Sequence, residues 1–452
     1  MTTSLPVKAR RAPLDLDGPC RMADIIATLL PIPAFATVEN SCLQSHMFAH
    51  EALGHLKTAF KFQAVGDAVG NLTLGRGESH GNAVHLALVE NRMASGALGA
   101  KECDQLASLF KIIATTKSPL VMYLDSAGAK VSEGLPALGA FRHMFRAGLA
   151  MADSGAPIAA VCGANCFGGA SMLACLAGTR YFSANTRLAM SGPAILAQSA
   201  GVSVLDEMFQ AMSMAAIGME GRTHLSTDNL PVSADTFKGE IPVSVSNAAR
   251  HLELGRRLAK SAMPGGSCVS EKIERRDLAR LYPDGYAVVE RDGVLAGDAR
   301  RDGAPIVLLG FIGGKALGAA RAWAFAEAVW KMCAAPPKTL QLLVDCDSHS
   351  TALDDERIML SAYLVNMSAA LFALGLKGTR IETTVLGKLG GGGYVALCAP
   401  AAQVNLLFGA EIQLLPGKAI ASILGEQGAQ QHGFEEYAAA RVADQEIKLG
   451  IV

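Results

Sequence analysis

Apolar and polar positions along this chain fall into one pattern that occurs twice. Gly96-Ala97-Leu98-Gly99-Ala100 opens a stretch of helical period running to about Ala114, and Lys315-Ala316-Leu317-Gly318-Ala319 opens another running to about Ala334. Each predicted helix is followed by a Pro-containing turn and an apolar strand ending in Asp, Pro119 to Asp125 in one half and Leu340 to Asp345 in the other. A small polar loop follows each strand, Ser126 to Ala129 and Asp347 to Ser350. Further on, the run Val161 to Ala170 aligns with Val385 to Tyr394, so the repeat has an offset of about 220 residues. Strands alternating with helices predict stacked β/α units, and a period this long is a duplicated domain, because solenoid repeats are far shorter.

The stretch Ser154 to Thr179 carries no charge and is long enough on paper to span a bilayer. Pro157 and Gly155, Gly163, Gly168, Gly169 and Gly178 interrupt it, which predicts a buried strand, a glycine turn and a buried helix. Residues 222–284 lose the apolar rhythm and hold Pro231, Pro242, Pro264, Gly265, Gly266 and a charged run from Glu271 to Asp277. They are expected to form a linker with one helix around Ala248 to Ala262. The resulting division is an extension over 1–45, a domain over 46–221, the linker over 222–284 and a second domain over 285–452.

Composition narrows the class of protein. A chain of 452 residues exceeds one ordinary core, and half apolar residues with 18% charged ones describe a well-buried globular protein. A net charge of −1 supplies no field for nucleic acid or an anionic membrane. Lys8, Arg10 and Arg11 are read as a short solvated tail with no apolar signal core beside them. The ten Cys form no CxxC pair, so no metal is expected, and free core thiols fit a cytoplasmic location.

A strand, a glycine turn and a helix start leave free N–H groups pointing outwards, where the helix dipole favours negative charge. Two such loops on neighbouring strands can aim two N–H groups at one oxygen and make an oxyanion hole. Each half carries both loops: Ser126 to Ala129 with Phe167-Gly168-Gly169, and Asp347 to Ser350 with Gly390 to Gly393.

Asp125 to Gly134 resembles the "GGARxQEG"-type loop of carboxyltransferases, and Gly387 to Tyr394 looks like their "RKAYGGGY" segment. Cys166 to Met172 and Leu188 to Pro193 resemble the malonate decarboxylase β subunit, and Gly310 to Gly318 is similar to the start of its γ subunit. The whole chain thus resembles β and γ subunits fused in one polypeptide. The resemblance implies an α/β protein of two tandem crotonase-like domains (the ClpP/crotonase spiral of β/α units) facing an acyl thioester. It implies one hole at Gly128 or Ala129 with Gly168 or Gly169, and a second at Ser348 or His349 with Gly391 or Gly392. In the biotin enzymes of this family the second hole faces the biotin ureido oxygen.

The implied reaction is decarboxylation of a malonyl-type acyl thioester through an enolate. No tightly bound cofactor is implied, only a thioester carrier, CoA or the phosphopantetheine-type arm of an acyl carrier protein. An acyl- or CoA-transferase subunit and further copies of the chain are the implied partners. Lys130 stands where the family has Arg and reads as a carboxylate or phosphate contact, alongside Lys388, or else as a solvated lysine. His349 reads either as a general acid toward the α-carbon or as a loop histidine exposed to solvent or bonded to Asp347. Glu133 is expected to cap the helix that follows it, and Cys166 to pack in the core. Gly192-Pro193-Ala194 lacks the acid of the family's "GPE", and the 347–350 loop lacks its Pro and Gly. The alternatives are a biotin-dependent acyl-CoA carboxyltransferase subunit, which needs a separate biotin carrier, and a non-catalytic assembly subunit.

Overall fold

The computed structural model describes residues 51–233, 235–261, 271–415 and 432–449. The extension expected over 1–45, with Lys8, Arg10 and Arg11, lies outside the described residues, as do 416–431 of the second expected domain.

The repeat read from the sequence is a repeat of strands. In the first half these are β1 (Gln63–Ala64), β2 (Leu72–Ser79), β3 (Asn82–Val89), β4 (Leu120–Ser126), β5 (Ile158–Phe167), β6 (Thr179–Phe182), β7 (Arg187–Ala189) and β8 (Asn229–Pro231). They form one sheet in the order β1-β2-β3-β4-β5-β6-β8, with β7 also against β5. The second half has β9 (Glu271–Lys272), β10 (Tyr286–Arg291), β11 (Val294–Arg301), β12 (Ala304–Gly314), β13 (Thr339–Cys346), β14 (Arg380–Gly390), β15 (Gln403–Leu407), β16 (Glu411–Gln413) and β17 (Gln445–Ile447). Their order is β9-β10-β11-β12-β13-β14-β15-β17, with β16 beside β14. In both sheets an antiparallel meander feeds a parallel ladder, β3-β4-β5-β6 in one and β12-β13-β14-β15 in the other. These are two mostly parallel α/β units, as two tandem crotonase-like domains require.

Strand alternation divides the first sheet into two faces. Leu86 and Leu88, Val121 and Tyr123, Ala159 and Val161 pack beneath the helical residues 51–59. Ala87, Met122, Leu124, Ala160 and Cys162 face the helices Ala100–Thr116 and Leu135–Asp153. The uncharged stretch from Ser154 resolves into β5, the turn at Gly168 and the helix Gly169–Leu176. No helix among the described residues is long and apolar enough to cross a membrane. Within 222–284, β8 extends the first sheet, β9 extends the second, and Asn247–Lys260 is helical.

The halves are clasped by arginines. On the helix Leu135–Asp153, buried Arg142 donates to the carbonyls of Cys398 (3.1 Å), Arg441 (3.3 Å) and Val442 (3.4 Å) and pairs with Asp444 (3.2 Å). Arg146, one turn on, donates to Ala399, Pro400 and Ala401. Both guanidiniums therefore sit where the helix Gly391–Cys398 ends and leaves carbonyls without intrahelical donors. Arg142→Met is expected to destabilise the chain by about 3 kcal/mol, because it strands several buried acceptors at once. The more exposed Arg146→Met should cost under about half of that, both read from denaturant midpoints.

Candidate active site

Both site loops start from the same irregularity. β4 and β5 pair in register to Leu124↔Cys162, then shift so that Ser126 faces Cys166; β13 and β14 shift identically between Val344↔Val385 and Cys346↔Leu389. The penultimate residues of these strands, Asp125 and Asp345, bridge the shifts. Asp125 accepts the Asn165 N–H at 3.1 Å and Asp345 accepts the Lys388 N–H at 3.1 Å. Gly163 and Gly387 are required there, because a Cβ at either position would collide with the aspartate side chain.

In the first half, Leu98 N–H donates to Gly128 C=O (2.8 Å) and Lys130 N–H to Leu98 C=O (2.9 Å). In a parallel bridge of this kind the residue between the two, Ala129, turns its own N–H to the opposite side. No described residue accepts that N–H. Gly169 is the first residue of its helix, so its N–H has no intrahelical partner, and none is supplied by another described residue. The two loops touch: a Cβ on Gly128, whose φ is +98°, would lie 3.0 Å from the Gly169 nitrogen. The other two candidate donors are occupied. Gly128 N–H bonds the Ser126 hydroxyl at 3.0 Å, and Gly168 N–H bonds the carbonyls of Ala189 (3.0 Å) and Met190 (3.2 Å). Ala129 and Gly169, both partly exposed, are thus the available pair.

The second half repeats the scaffold and fills the gap. Leu317 N–H donates to Ser348 C=O (2.8 Å) and Ser350 N–H to Leu317 C=O (2.9 Å), which places His349 where the first half has Ala129. Gly391, with φ +51°, matches Gly168, with φ +54°, so Gly392 matches Gly169. The Gly392 N–H is taken: it donates to His349 Nδ1 at 3.2 Å. The Nδ1 is therefore an acceptor and the ring proton sits on Nε2, which faces Ser191 Oγ at 3.4 Å. His349 is 5% exposed, and burial pushes its imidazole down to about 4. This differs from the titrating loop histidine expected from sequence, because the ring points into the hole rather than toward Asp347 or solvent.

Lys130 pairs with Glu133 at 3.0 Å, which holds its ammonium above the usual lysine value. Glu133 caps a helix other than the expected one. It accepts the Ala100 N–H at 2.8 Å, whereas the helix after it begins at Leu135 from Gly134. Asp355 does the same for Ala319 at 2.7 Å in the second half. Lys388 is exposed. Cys166 is buried, and burial raises its thiol well above the usual range, as a core role requires.

Sequence reading missed Glu356, Arg222 and Ser191, which join the two loop pairs. Glu356 accepts the N–H groups of Met190 (2.9 Å) and Ser191 (3.2 Å) and lies 3.5 Å from Arg222, all of it inside the protein. The signal that could have found this region is the repeat itself: Glu133 aligns with Asp355 and leaves Glu356 as an extra acid beside it.

Residues 44–230 match the family described as the carboxyl transferase domain. The chain is 28% identical over 196 residues to the methylmalonyl-CoA carboxyltransferase 12S subunit of Propionibacterium freudenreichii subsp. shermanii, a match covering 42% of this chain and 36% of that protein. It is 24% identical over 382 residues to a putative propionyl-CoA carboxylase beta chain of Bacillus subtilis (strain 168), covering 80% of this chain and 73% of that one. Among solved structures, a Pseudomonas malonate decarboxylase hetero-tetramer in complex with malonate aligns at a TM-score of 0.42 and 17% identity, over 54% of this chain and 96% of the other. The first half of this chain therefore carries the sequence signature of a carboxyl transferase domain, and relatives of that kind include acyl-CoA carboxyltransferase and carboxylase subunits.

Proposed function

We propose that the chain decarboxylates a malonyl-type acyl thioester, carried by CoA or by the arm of an acyl carrier protein, and that it does so in its first half. The observation that carries this reading is the asymmetry between two otherwise matching holes. Ala129 and Gly169 N–H are free to meet a thioester oxygen, while the Gly392 N–H is already bonded to His349.

Decarboxylation needs one oxyanion hole. The bond between the α-carbon and the carboxylate breaks, carbon dioxide leaves, and the electron pair moves onto the thioester carbonyl as an enolate. Two N–H groups aimed at that oxygen stabilise the charge as it develops, and they require no acidic side chain. The α-carbon then takes a proton from water, and the acetyl-type thioester departs. A tight cation at the carboxylate would hold its charge in the ground state and slow its loss. Lys130, already paired with Glu133, suits a looser contact, and exposed Lys388 suits the carrier's phosphate.

Carboxyl transfer from biotin would call on the second hole, where the His349 ring takes the Gly392 N–H and lies against the Ser348 hydroxyl. The two curated relatives favour that second reading by their names. A homo-oligomer, or an assembly with an acyl- or CoA-transferase subunit, belongs to the same proposal.

Incubation of the purified chain with malonyl-CoA or malonyl-carrier protein should release carbon dioxide and the acetyl thioester, unaffected by avidin. Turnover that needs biotin and is stopped by avidin would establish the carboxyltransferase instead, and no turnover with either substrate would favour an assembly role. Ala129→His, which copies the second half's plug into the first, should lower kcat at least about a hundredfold, the usual cost of losing an oxyanion donor. Retained turnover in that variant would remove Ala129 from the site. Replacement of Gly169 is a poorer test, since any Cβ there collides with the Phe141 ring.

The plug also predicts a pH signature. The His349 imidazole lies below its ordinary value in the folded chain, so the unfolded chain binds the extra proton between about pH 6.5 and pH 4. Its contribution is complete above about 6.5 and is lost as pH falls toward about 4, at up to about 1.4 kcal/mol per pH unit. His349→Asn, whose amide oxygen can still accept the Gly392 N–H, should flatten that part of the wild-type stability profile.

A further inference from the structure

The segment Ala189–Gly192 lies between the two loop pairs and anchors the turn at Gly168 from which the Gly169 N–H projects. Gly168 N–H is held by the carbonyls of Ala189 and Met190, which anchors the Phe167–Gly168 peptide, one residue before the peptide that carries the Gly169 N–H. The same segment turns its own N–H groups, those of Met190 and Ser191, toward the second half, where both end on Glu356 Oε1. Glu356 lies in the short helix Leu353–Arg357, in a run that reads as a solvated acidic patch, yet it is 0% exposed.

A carboxylate costs several kcal/mol to bury unless charge and hydrogen bonds compensate it. Here Arg222, from the helix Met219–Leu225, supplies the charge at 3.5 Å. Arg222 also donates to the Glu356 carbonyl (2.6 Å) and twice to the Leu188 carbonyl (2.9 and 2.7 Å), so it grips both ends of the contact.

We infer that Glu356 is a positioning residue for the first oxyanion hole, acting from the second half through the backbone of Met190 and Ser191. The inference rests on the reading that Ala129 and Gly169 hold the enolate oxygen. It gives the second half a task in the reaction even though its own hole is closed: it sets the geometry of the open one. Small errors suffice to matter, since a misplacement of about 1 Å can cost about a hundredfold in rate.

Two double variants separate positioning from mere support. Arg222→Met with Glu356→Met replaces the ion pair by apolar side chains, an exchange that buried ion pairs often tolerate, but leaves the Met190 and Ser191 N–H groups without an acceptor. Arg222→Met with Glu356→Gln also removes both charges, yet its amide oxygen can still accept. Hydrogen exchange of the 166–172 segment is measured by mass spectrometry, together with kcat and KM for malonyl-CoA. The Met/Met variant should exchange at Gly168 at least about tenfold faster and lose at least about thirtyfold in kcat, with KM within about threefold. The Met/Gln variant should stay within about fivefold of wild type in both readouts. Equal exchange in the two variants would overturn the proposal. If neither folds, Glu356→Asp keeps the charge but retracts the acceptor, and wild-type exchange in that variant would overturn it equally. Should the wild-type chain decarboxylate nothing, the functional reading falls, and the exchange data still decide whether Glu356 sets the loop.

Discussion

Two backbone N–H groups at the ends of neighbouring parallel strands, those of Ala129 and Gly169, have no acceptor among the described residues, and most of the surrounding architecture follows from keeping them that way. Unpaired N–H groups inside a protein are costly and normally find a partner. The chain spends the adjacent donors first, Gly128 on the Ser126 hydroxyl and Gly168 on two carbonyls, so the loops are rigid without consuming the pair that matters. Asp125 holds the register shift that splays the strands, and Glu133 ties the loop after Ala129 to the start of the helix Ala100–Thr116.

The second half shows the same scaffold with that cost removed. His349 supplies an acceptor for Gly392, and its burial keeps the ring neutral at ordinary pH. Duplication produced two equivalent positions, and one residue difference, Ala129 against His349, distinguishes an open hole from a closed one. Seen this way, the closed half contributes structure: Glu356 orders the segment behind the open hole, and Arg142 and Arg146 lock the end of the Gly391–Cys398 helix across the seam.

Much of this was legible in the sequence. The duplication, the two α/β units, the strand ends to within one residue of Asp125 and Asp345 and the glycine turns at Gly168 and Gly391 all follow from local periodicity and glycine placement. What sequence could not assign was which N–H in each loop is free, because Gly128, Ala129, Gly168 and Gly169 differ only in partners that come from distant segments. Glu356 was hidden for a related reason. Asp354, Asp355 and Glu356 form an acidic run typical of a solvated face, and only tertiary packing buries the last two, Asp355 at the Ala319 N–H and Glu356 at Met190. Local capping, the default, points Glu133 to the nearer helix, whereas the loop folds back toward Ala100.

Amide NMR of protein labelled at alanine and glycine would test the account most directly, with a malonyl thioester analogue that cannot lose carbon dioxide as the probe. Ligand addition should move the Ala129 and Gly169 N–H resonances, as a new acceptor arrives, and leave Gly392 unmoved behind His349. Movement of Gly392 with Ala129 and Gly169 unchanged would place the thioester in the second half and contradict the assignment of the open hole.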